Sequence, residues 1–184
     1  GEVPSGGAER FWLLLALFPK VTRRKGGTAS RRYKKTDIHT IKKTGNPMAL
    51  TPHHPVPALP QEGLIAVIAP AGPAPLDTEK AIQWMRARGH TLRIFPGVYE
   101  KPDYLAGSDE VRLNDLHTAF ADPEVKAIIC LRGGYGTPRL LDRIDFDLIR
   151  RNPKPFVGYS DITALHLAIS RYAGFVTFHG PLLN

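Results

Sequence analysis

The chain contains little cysteine, and Cys130 is the only one in 184 residues. A single cysteine excludes an intramolecular disulfide and fits a reducing compartment, so we expect a cytoplasmic protein. Cys130 lies in a short apolar run with β-branched neighbours, which is typical of a buried strand. An inert core thiol is therefore favoured over a second nucleophile.

Long hydrophobic runs are missing as well. The run from Phe11 to Phe18 has eight apolar residues, whereas a helix that crosses a bilayer needs about 20. A signal peptide is also disfavoured, because Glu2 and Glu9 weaken the basic character before this run and Pro19-Lys20 replaces a small-residue cleavage site. We therefore expect no membrane span and no membrane partner.

Motifs for nucleotides and metals are not found where the fold would need them. The loop 69–73 matches neither the phosphate-binding pattern G-x-x-x-x-G-K-[ST] nor the dinucleotide pattern G-x-G-x-x-G. Asp142, Asp145 and Asp147 lack the spacing of a calcium loop, so they are expected to be caps and surface charge. The pair His53-His54 has no carboxylate or cysteine at ligand spacing. We expect no cofactor and no metal.

Acidic residues are scarce in the first part of the chain only. Residues 1–47 hold 11 Lys and Arg against 3 Asp and Glu, whereas residues 48–184 hold 14 of each sign. The net charge of +8 therefore belongs to a basic extension, residues 1–47. We expect this extension to be disordered, or to be upstream sequence translated from a start codon placed too early, because the first methionine is Met48. A nucleic-acid-binding arm within residues 20–43 is the alternative. The charge-balanced remainder carries no nucleic-acid signal.

The remaining sequence divides into a linker and one folded domain. Four prolines between Pro52 and Pro60 predict that residues 48–63 form an extended Pro-rich linker. Over residues 64–184, short apolar runs alternate with segments of helical periodicity, which predicts an α/β domain with a doubly wound, mostly parallel sheet. The predicted strands are 64–68, 91–95, 125–131, 155–157 and 175–178, and the predicted helices are 76–88, 109–121, 138–141, 145–151 and 162–172.

Two loops of this domain suggest a functional site. One is the glycine loop, residues 132–136, which follows a predicted strand and holds three glycines that allow the backbone to approach a ligand closely. The other is the turn from strand to helix that carries Ser160. Such a turn lifts a hydroxyl above the sheet, where backbone N–H groups can stabilise an oxyanion. The second glycine of G-x-S-x-G is missing, so spacing alone favours a plain helix N-cap over a nucleophile or an anion-binding site.

Six motifs follow one another along the domain. They are YLAGSDE at 104–110, NDL at 114–116, AFADP at 119–123, RGGYG at 132–136, KPFVGYSDIT at 154–163 and HGP at 179–181. In this order they closely resemble the N-terminal half of the LD-carboxypeptidase family, to which the microcin-immunity peptidases also belong. The resemblance runs from Leu64 to the last residue, and it implies a flavodoxin-like or class I amidotransferase-like fold.

The resemblance also implies an activity. The family consists of serine peptidases with a Ser-Glu-His triad, and Ser160 matches the nucleophile. The implied reaction is cleavage of the L,D peptide bond that releases terminal D-alanine from murein tetrapeptide, with the backbone N–H groups of Asp161 and Gly134 as the oxyanion hole. The Glu and the His come from a C-terminal domain that this sequence does not contain, so we expect an inactive fragment. A homodimer is implied as well. A microcin-immunity-type peptidase and a non-catalytic binding module of the same fold are the alternatives.

Several other side chains receive structural interpretations. Neither His166 nor His179 is expected to replace the missing base. Arg112 and Asp109 are predicted to lie on a solvated helix face, and Trp84 is predicted to lie in the core. The helix after the Ser160 turn is predicted to bury a stripe of Leu165, Ala168, Ile169 and Tyr172.

Overall fold

The computed structural model describes residues 53–58, 62–100 and 103–183, so the predicted basic extension 1–47 and the beginning of the predicted linker lie outside it. Five strands form an all-parallel sheet in the order β2-β1-β3-β4-β5. They are β1 Leu64–Ile68, β2 Thr91–Ile94, β3 Val125–Cys130, β4 Phe156–Gly158 and β5 Phe178–His179. This order is the flavodoxin-like variant of the doubly wound fold, which confirms the predicted fold class.

Helices connect the strands. They are α1 Thr78–Arg86, α2 Asp109–Ala121, α3 Phe146–Arg151 and α4 Thr163–Ala168, with a π-helical turn at Ile169–Ala173 and 3-10 turns at Pro96–Val98, Thr137–Arg143 and Ser160–Ile162. The start of α2 follows from its sequence, because the Ser108 hydroxyl accepts a hydrogen bond from the Val111 N–H at 3.3 Å. Asp109 and Glu110 occupy the first turn, where negative charge complements the helix dipole.

Strand β1 lies at the centre of the sheet and is buried on both faces. Ala66 and Ile68 pack on one face with residues of α2, α3 and α4. Val67 lies on the other face, in a smaller cluster that includes Ile82 of α1. Because successive side chains of a strand point to opposite faces, a strand covered on both sides is continuously apolar. The sequence of β1 has this property.

Three phenylalanines form the centre of the larger core cluster. Phe120 of α2 stacks on Phe156 of β4 with ring centroids 5.9 Å apart, and it also meets Phe175 at 6.3 Å. All three rings are almost completely removed from solvent. The contact holds α2 against the half of the sheet that carries the Ser160 turn.

The strand order reverses between β1 and β3, and the two loops that follow these strands lie side by side. The β1 loop, residues 69–73, and the glycine loop are joined by a hydrogen bond from the Gly72 N–H to the Gly133 carbonyl at 3.0 Å. In open parallel sheets the crevice at such a reversal is where ligands bind. The fold therefore places the glycine loop at the expected position for a site.

The described part of the predicted linker, residues 53–58, is extended but is bonded to the domain. The His54 N–H donates to the Gly174 carbonyl at 2.9 Å, and the Val176 N–H donates to the His54 carbonyl at 3.3 Å. The His53 Nε2 atom lies 2.6 Å from the Ser170 hydroxyl. His53 and His54 thus contribute to attaching this segment ahead of β5.

Two predictions about aromatic residues are wrong. Trp84 is 54% exposed, because α1 turns Ile82 toward the sheet, and the Arg88 guanidinium lies 3.5 Å from the Trp84 ring centroid. Tyr172 is also exposed, whereas the other members of its predicted stripe are buried. The π-helical turn at Ile169–Ala173 widens the helix and shifts the residues at its end away from the buried face. Within the described ranges, no helix has the length and apolar character needed to cross a bilayer.

We expect Phe120→Ala to lower the free energy of unfolding by about 3–5 kcal/mol, since it removes a buried ring and leaves a cavity between two others. The matched control is Leu76→Ala, because Leu76 is fully exposed. The control should change stability by less than about 0.5 kcal/mol. Urea unfolding followed by circular dichroism measures both. Equal losses in the two variants would show that the three-ring cluster does not hold the core together.

Candidate active site

Ser160 lies two residues after the end of β4, where the chain turns toward α4. Its φ angle is +63°, and it is the only non-glycine residue with a positive φ in the described part of the chain. This left-handed region costs a residue with a Cβ atom roughly 1–2 kcal/mol, so the turn holds Ser160 under backbone strain. Strain of this kind is concentrated at functional sites. The predicted strand-to-helix turn is present, with the sharp geometry of a nucleophile elbow.

The Ser160 side chain is exposed and does not cap a helix. Neither the 3-10 turn Ser160–Ile162 nor α4 has a side-chain hydrogen bond at its N-terminus. A plain N-cap, which spacing alone favoured, is therefore wrong. The hydroxyl is available at the carboxyl edge of the sheet, where the loops after the parallel strands converge.

Gly133 of the glycine loop lies against Ser160. A Cβ atom added at Gly133 would be 2.8 Å from the Ser160 Cβ and 3.0 Å from its Oγ, closer than side chains can approach. Only glycine allows the loop backbone to come this near to the serine. The structure therefore brings together the two loops that the sequence identified.

The backbone N–H groups of Gly134 and Asp161, both near Ser160, donate no hydrogen bond to any described residue. The peptide between Gly133 and Gly134 is trans, so its N–H points away from its carbonyl. That carbonyl already accepts from the Gly72 N–H, which directs the Gly134 N–H away from the β1 loop. The assignment of these two groups to an oxyanion hole remains a prediction, and unpartnered N–H groups are what such a hole requires.

The Asp161 side chain fastens the serine turn to the glycine loop. One of its carboxylate oxygens accepts from the Thr137 N–H at 2.9 Å and lies 2.9 Å from the Thr137 hydroxyl. The same hydroxyl lies 2.6 Å from the Asp161 carbonyl oxygen. Thr137 is fully buried and directly follows the glycine loop. Sequence reasoning considered only the backbone of Asp161 and missed this role, because the two residues are 24 positions apart.

His166 lies below the serine turn with both ring nitrogens engaged. Its Nε2 is 2.8 Å from the Gly158 carbonyl, which can only accept, so Nε2 carries the proton. Its Nδ1 lies 2.9 Å from the Thr177 hydroxyl and accepts from it. Burial lowers the pKa of His166, opposed by the Gly158 bond. A neutral imidazole with a hydrogen bond at each ring nitrogen agrees with the prediction that His166 does not serve as the base.

His179 lies at the end of β5, on the same edge of the sheet. It is exposed, and its ring centroid is 6.0 Å from the Tyr159 ring and 5.9 Å from the His166 ring. Neither imidazole is hydrogen-bonded to Ser160. The part of the chain that the structure describes thus supplies a serine and two candidate oxyanion donors but no histidine engaged as a base.

The predicted solvated face of α2 is wrong for Arg112. This residue is 1% exposed, and its Nη1 atom donates to the Pro70 carbonyl at 2.8 Å. Its Nη2 atom is bonded to Asp109, which is partly buried. A signal for this burial was present, because Arg112 precedes Leu116 and Phe120 by four and eight positions, on the buried face of the helix.

Other predictions about single residues agree with the structure. Cys130 is completely buried and burial raises the pKa of its thiol, so it is an inert core residue. Asp145 caps α3 by accepting from the Leu148 N–H at 2.8 Å, and Asp147 is paired with Arg150. The aspartates at 145 and 147 are therefore a cap and a surface charge, as predicted.

Comparison with known proteins shows which family has this sequence. The family described as the LD-carboxypeptidase N-terminal domain matches residues 65–180, which include both loops of the site and all of the sheet except Leu64, the first residue of β1. This chain belongs to the LD-carboxypeptidase family. The resemblance seen in the six sequence motifs is thereby confirmed.

Individual relatives agree with this assignment. The chain is similar to a probable murein peptide carboxypeptidase of Bacillus subtilis, with 47% identity over 69% of this chain and 40% of the relative. It is 38% identical to a murein tetrapeptide carboxypeptidase of Pseudomonas aeruginosa over 67% of this chain and 40% of the relative. An MccF-like protein of Bacillus anthracis has a similar structure, with a TM-score of 0.67, 37% identity and coverage of 71% of this chain and 41% of that one. The chain thus spans about two fifths of the length of these relatives.

We expect Ser160→Gly to be more stable than Ser160→Ala by about 1 kcal/mol, because glycine adopts the positive φ without the strain that any Cβ atom brings. Both substitutions remove the hydroxyl, so the comparison isolates the backbone. Urea unfolding of the two variants measures the difference. If alanine proved as stable as glycine, Ser160 would not be held in a strained conformation.

His166 should make the domain less stable in mild acid. Its pKa is below the ordinary 6.5 in the folded state, so the unfolded chain takes up the proton first as the pH falls. The stability advantage of the unsubstituted chain over His166→Gln should shrink as the pH falls from about 7.5 to about 5. Burial also lowers the pKa of His117, but this contribution is common to both chains and cancels in the comparison. A stability difference that stayed constant with pH would contradict a neutral His166.

Proposed function

We propose that Ser160 is the nucleophile of a serine carboxypeptidase that cleaves the L,D peptide bond and releases terminal D-alanine from murein tetrapeptide. The observation that carries this proposal is the strained turn, which exposes a hydroxyl that caps no helix, close to two backbone N–H groups that donate to no described residue. The murein peptide carboxypeptidases among the relatives support the substrate class.

The chemistry follows from this arrangement. The Ser160 hydroxyl attacks the carbonyl carbon of the scissile bond, and the developing oxyanion accepts hydrogen bonds from the Gly134 and Asp161 N–H groups. Loss of one such donor costs about 3 kcal/mol of transition-state stabilisation. The bond to D-alanine then breaks as its nitrogen takes up the proton that left Ser160, and water hydrolyses the acyl-enzyme that remains.

A serine hydroxyl is a poor nucleophile until a base removes its proton. His166 is not available for this role, because its ring nitrogens are bonded to Gly158 and Thr177. We propose that the base and the carboxylate that orients it are a His and a Glu contributed by sequence beyond this chain. The chain by itself would then be inactive.

A hybrid enzyme tests the proposal. Residues 62–183 would replace the matching segment of the Pseudomonas aeruginosa relative, and D-alanine release from murein tetrapeptide would be measured. We expect the hybrid to be active, Ser160→Ala to reduce its activity by at least about 10³-fold, and the isolated chain to release nothing above background. Ser170→Ala is the matched control, since Ser170 lies away from the site, and it should keep full activity.

Two results would count against this function. Full activity of the Ser160→Ala hybrid would remove Ser160 from the chemistry, and Ser160-dependent release by the isolated chain would show that no outside base is needed. A binding module without catalysis remains the alternative if a fluorophosphonate probe fails to label Ser160 in the hybrid.

The second candidate activity is that of a microcin-immunity peptidase. The similarity of this chain to the MccF-like structure supports this alternative. Protection of a microcin-sensitive strain by the hybrid, without D-alanine release, would select this activity instead. We also propose that the protein is cytoplasmic, supported by its single buried thiol, and that it forms a homodimer.

A further inference from the structure

Arg112 is the one arginine that the described part of the chain buries completely. Its side chain is 0% exposed, and its charge is balanced by Asp109, a residue one turn earlier in α2. Burying a charge is costly unless the group is paired and hydrogen-bonded. An apolar residue would fill this position of the buried helix face at lower cost, so the guanidinium needs an explanation.

The guanidinium occupies the space between the two loops of the site. Its Nη1 atom donates to the Pro70 carbonyl at 2.8 Å, and Pro70 belongs to the β1 loop. The same atom lies 2.8 Å from the point where a Cβ atom would stand on Gly136, the last residue of the glycine loop. One planar group therefore contacts both loops, and the absence of a Cβ atom on Gly136 makes room for it.

Asp109 extends this contact to the segment that follows the glycine loop. Its carboxylate accepts from Arg112 and also from Nε and Nη2 of Arg139, at 3.0 and 2.9 Å. Arg139 belongs to the 3-10 turn Thr137–Arg143. The hydrogen bond from Arg139 and the charges of both arginines lower the pKa of Asp109, so the carboxylate stays ionised. The network fixes the glycine loop at its end.

The loops in turn determine what surrounds Ser160. The Gly72 N–H is bonded to the Gly133 carbonyl, and Gly133 is in contact with Ser160. A change in the separation of the two loops would therefore move the peptide that carries the Gly134 N–H. Since an oxyanion donor must be placed to within about 0.5 Å, small movements of this peptide matter.

We propose that Arg112 is a positioning residue that sets the separation of the β1 loop and the glycine loop and thereby places the Gly134 N–H beside Ser160. That this N–H serves as an oxyanion donor rests on the proposed function, whereas the positioning does not. The role needs a guanidinium, because its planar fork reaches Pro70 and Asp109 at the same time, which a lysine ammonium on a single stem does not reproduce.

The test compares backbone amide resonances of the chain labelled with ¹⁵N-glycine. In Arg112→Ala, the signals of the loop glycines Gly72, Gly133, Gly134 and Gly136 should shift by several line widths and broaden. Gly89 and Gly174 are internal controls, since both have positive φ angles and no atom within 4 Å of a Cβ position, and their signals should not move. Millimolar methylguanidinium should return the loop signals toward their original positions by occupying the vacated space, and urea at the same concentration should not.

Matched variants separate positioning from stability alone. Arg143 also bonds to α2, through Glu110, but this ion pair is largely exposed. Arg143→Ala should leave all the loop signals in place. Arg112→Lys keeps the positive charge and should still shift the Gly134 and Gly136 signals. If Arg112→Ala does not fold, Arg112→Lys and Asp109→Asn decide the question by the same signals.

Unchanged loop signals in a folded Arg112 variant would overturn the proposal, and so would equal shifts in Arg143→Ala. Lower stability in urea with unmoved loop signals would mean that Arg112 only supports the core. The outcome is independent of catalysis. Loop shifts that methylguanidinium reverses, together with a hybrid that releases no D-alanine, would leave the positioning role intact and refute only the proposed function.

Discussion

The contact between Gly133 and Ser160 is the constraint on which the site depends. The two residues follow neighbouring parallel strands, and they approach so closely that no Cβ atom fits at Gly133. Ser160 makes this contact with a left-handed backbone, which is unfavourable in isolation. Neighbouring residues must therefore hold the turn in place. Among them are polar side chains at the edge of the apolar core.

Each of these polar groups joins two segments that are separate along the chain. Asp161 bonds to Thr137, His166 bonds to the Gly158 carbonyl before the turn, and Arg112 bonds to the Pro70 carbonyl of the β1 loop. A buried polar group left without a partner costs about 1–3 kcal/mol, so each bond penalises movement of its loop. A strained turn held from several sides is pre-organised, which is what catalysis by fixed backbone donors requires.

Much of the fold could be predicted because its signals are local. Short apolar runs predicted five strands in the observed chain order, although the last was predicted at 175–178 and shares only Phe178 with β5. Their alternation with helices predicted the parallel sheet, and the hydroxyl between a strand and a helix singled out Ser160. The position of the glycine loop also followed, because the carboxyl ends of parallel strands meet at one edge. The errors concern which face a side chain occupies. Trp84 and Tyr172 are exposed although their spacing suggested burial, and Arg112 is buried although its charge suggested exposure.

The sequence by itself determined the order of strands and helices, the turn at Ser160 and the family to which the chain belongs, since these depend on residues that are neighbours along the chain. Tertiary structure alone decided the partners of Asp161 and Arg112, because each bonds to a segment more than 20 positions away. It also decided that the Ser160 hydroxyl caps no helix. Such choices depend on how separate elements pack, and packing is set by the whole core rather than by any one stretch of sequence.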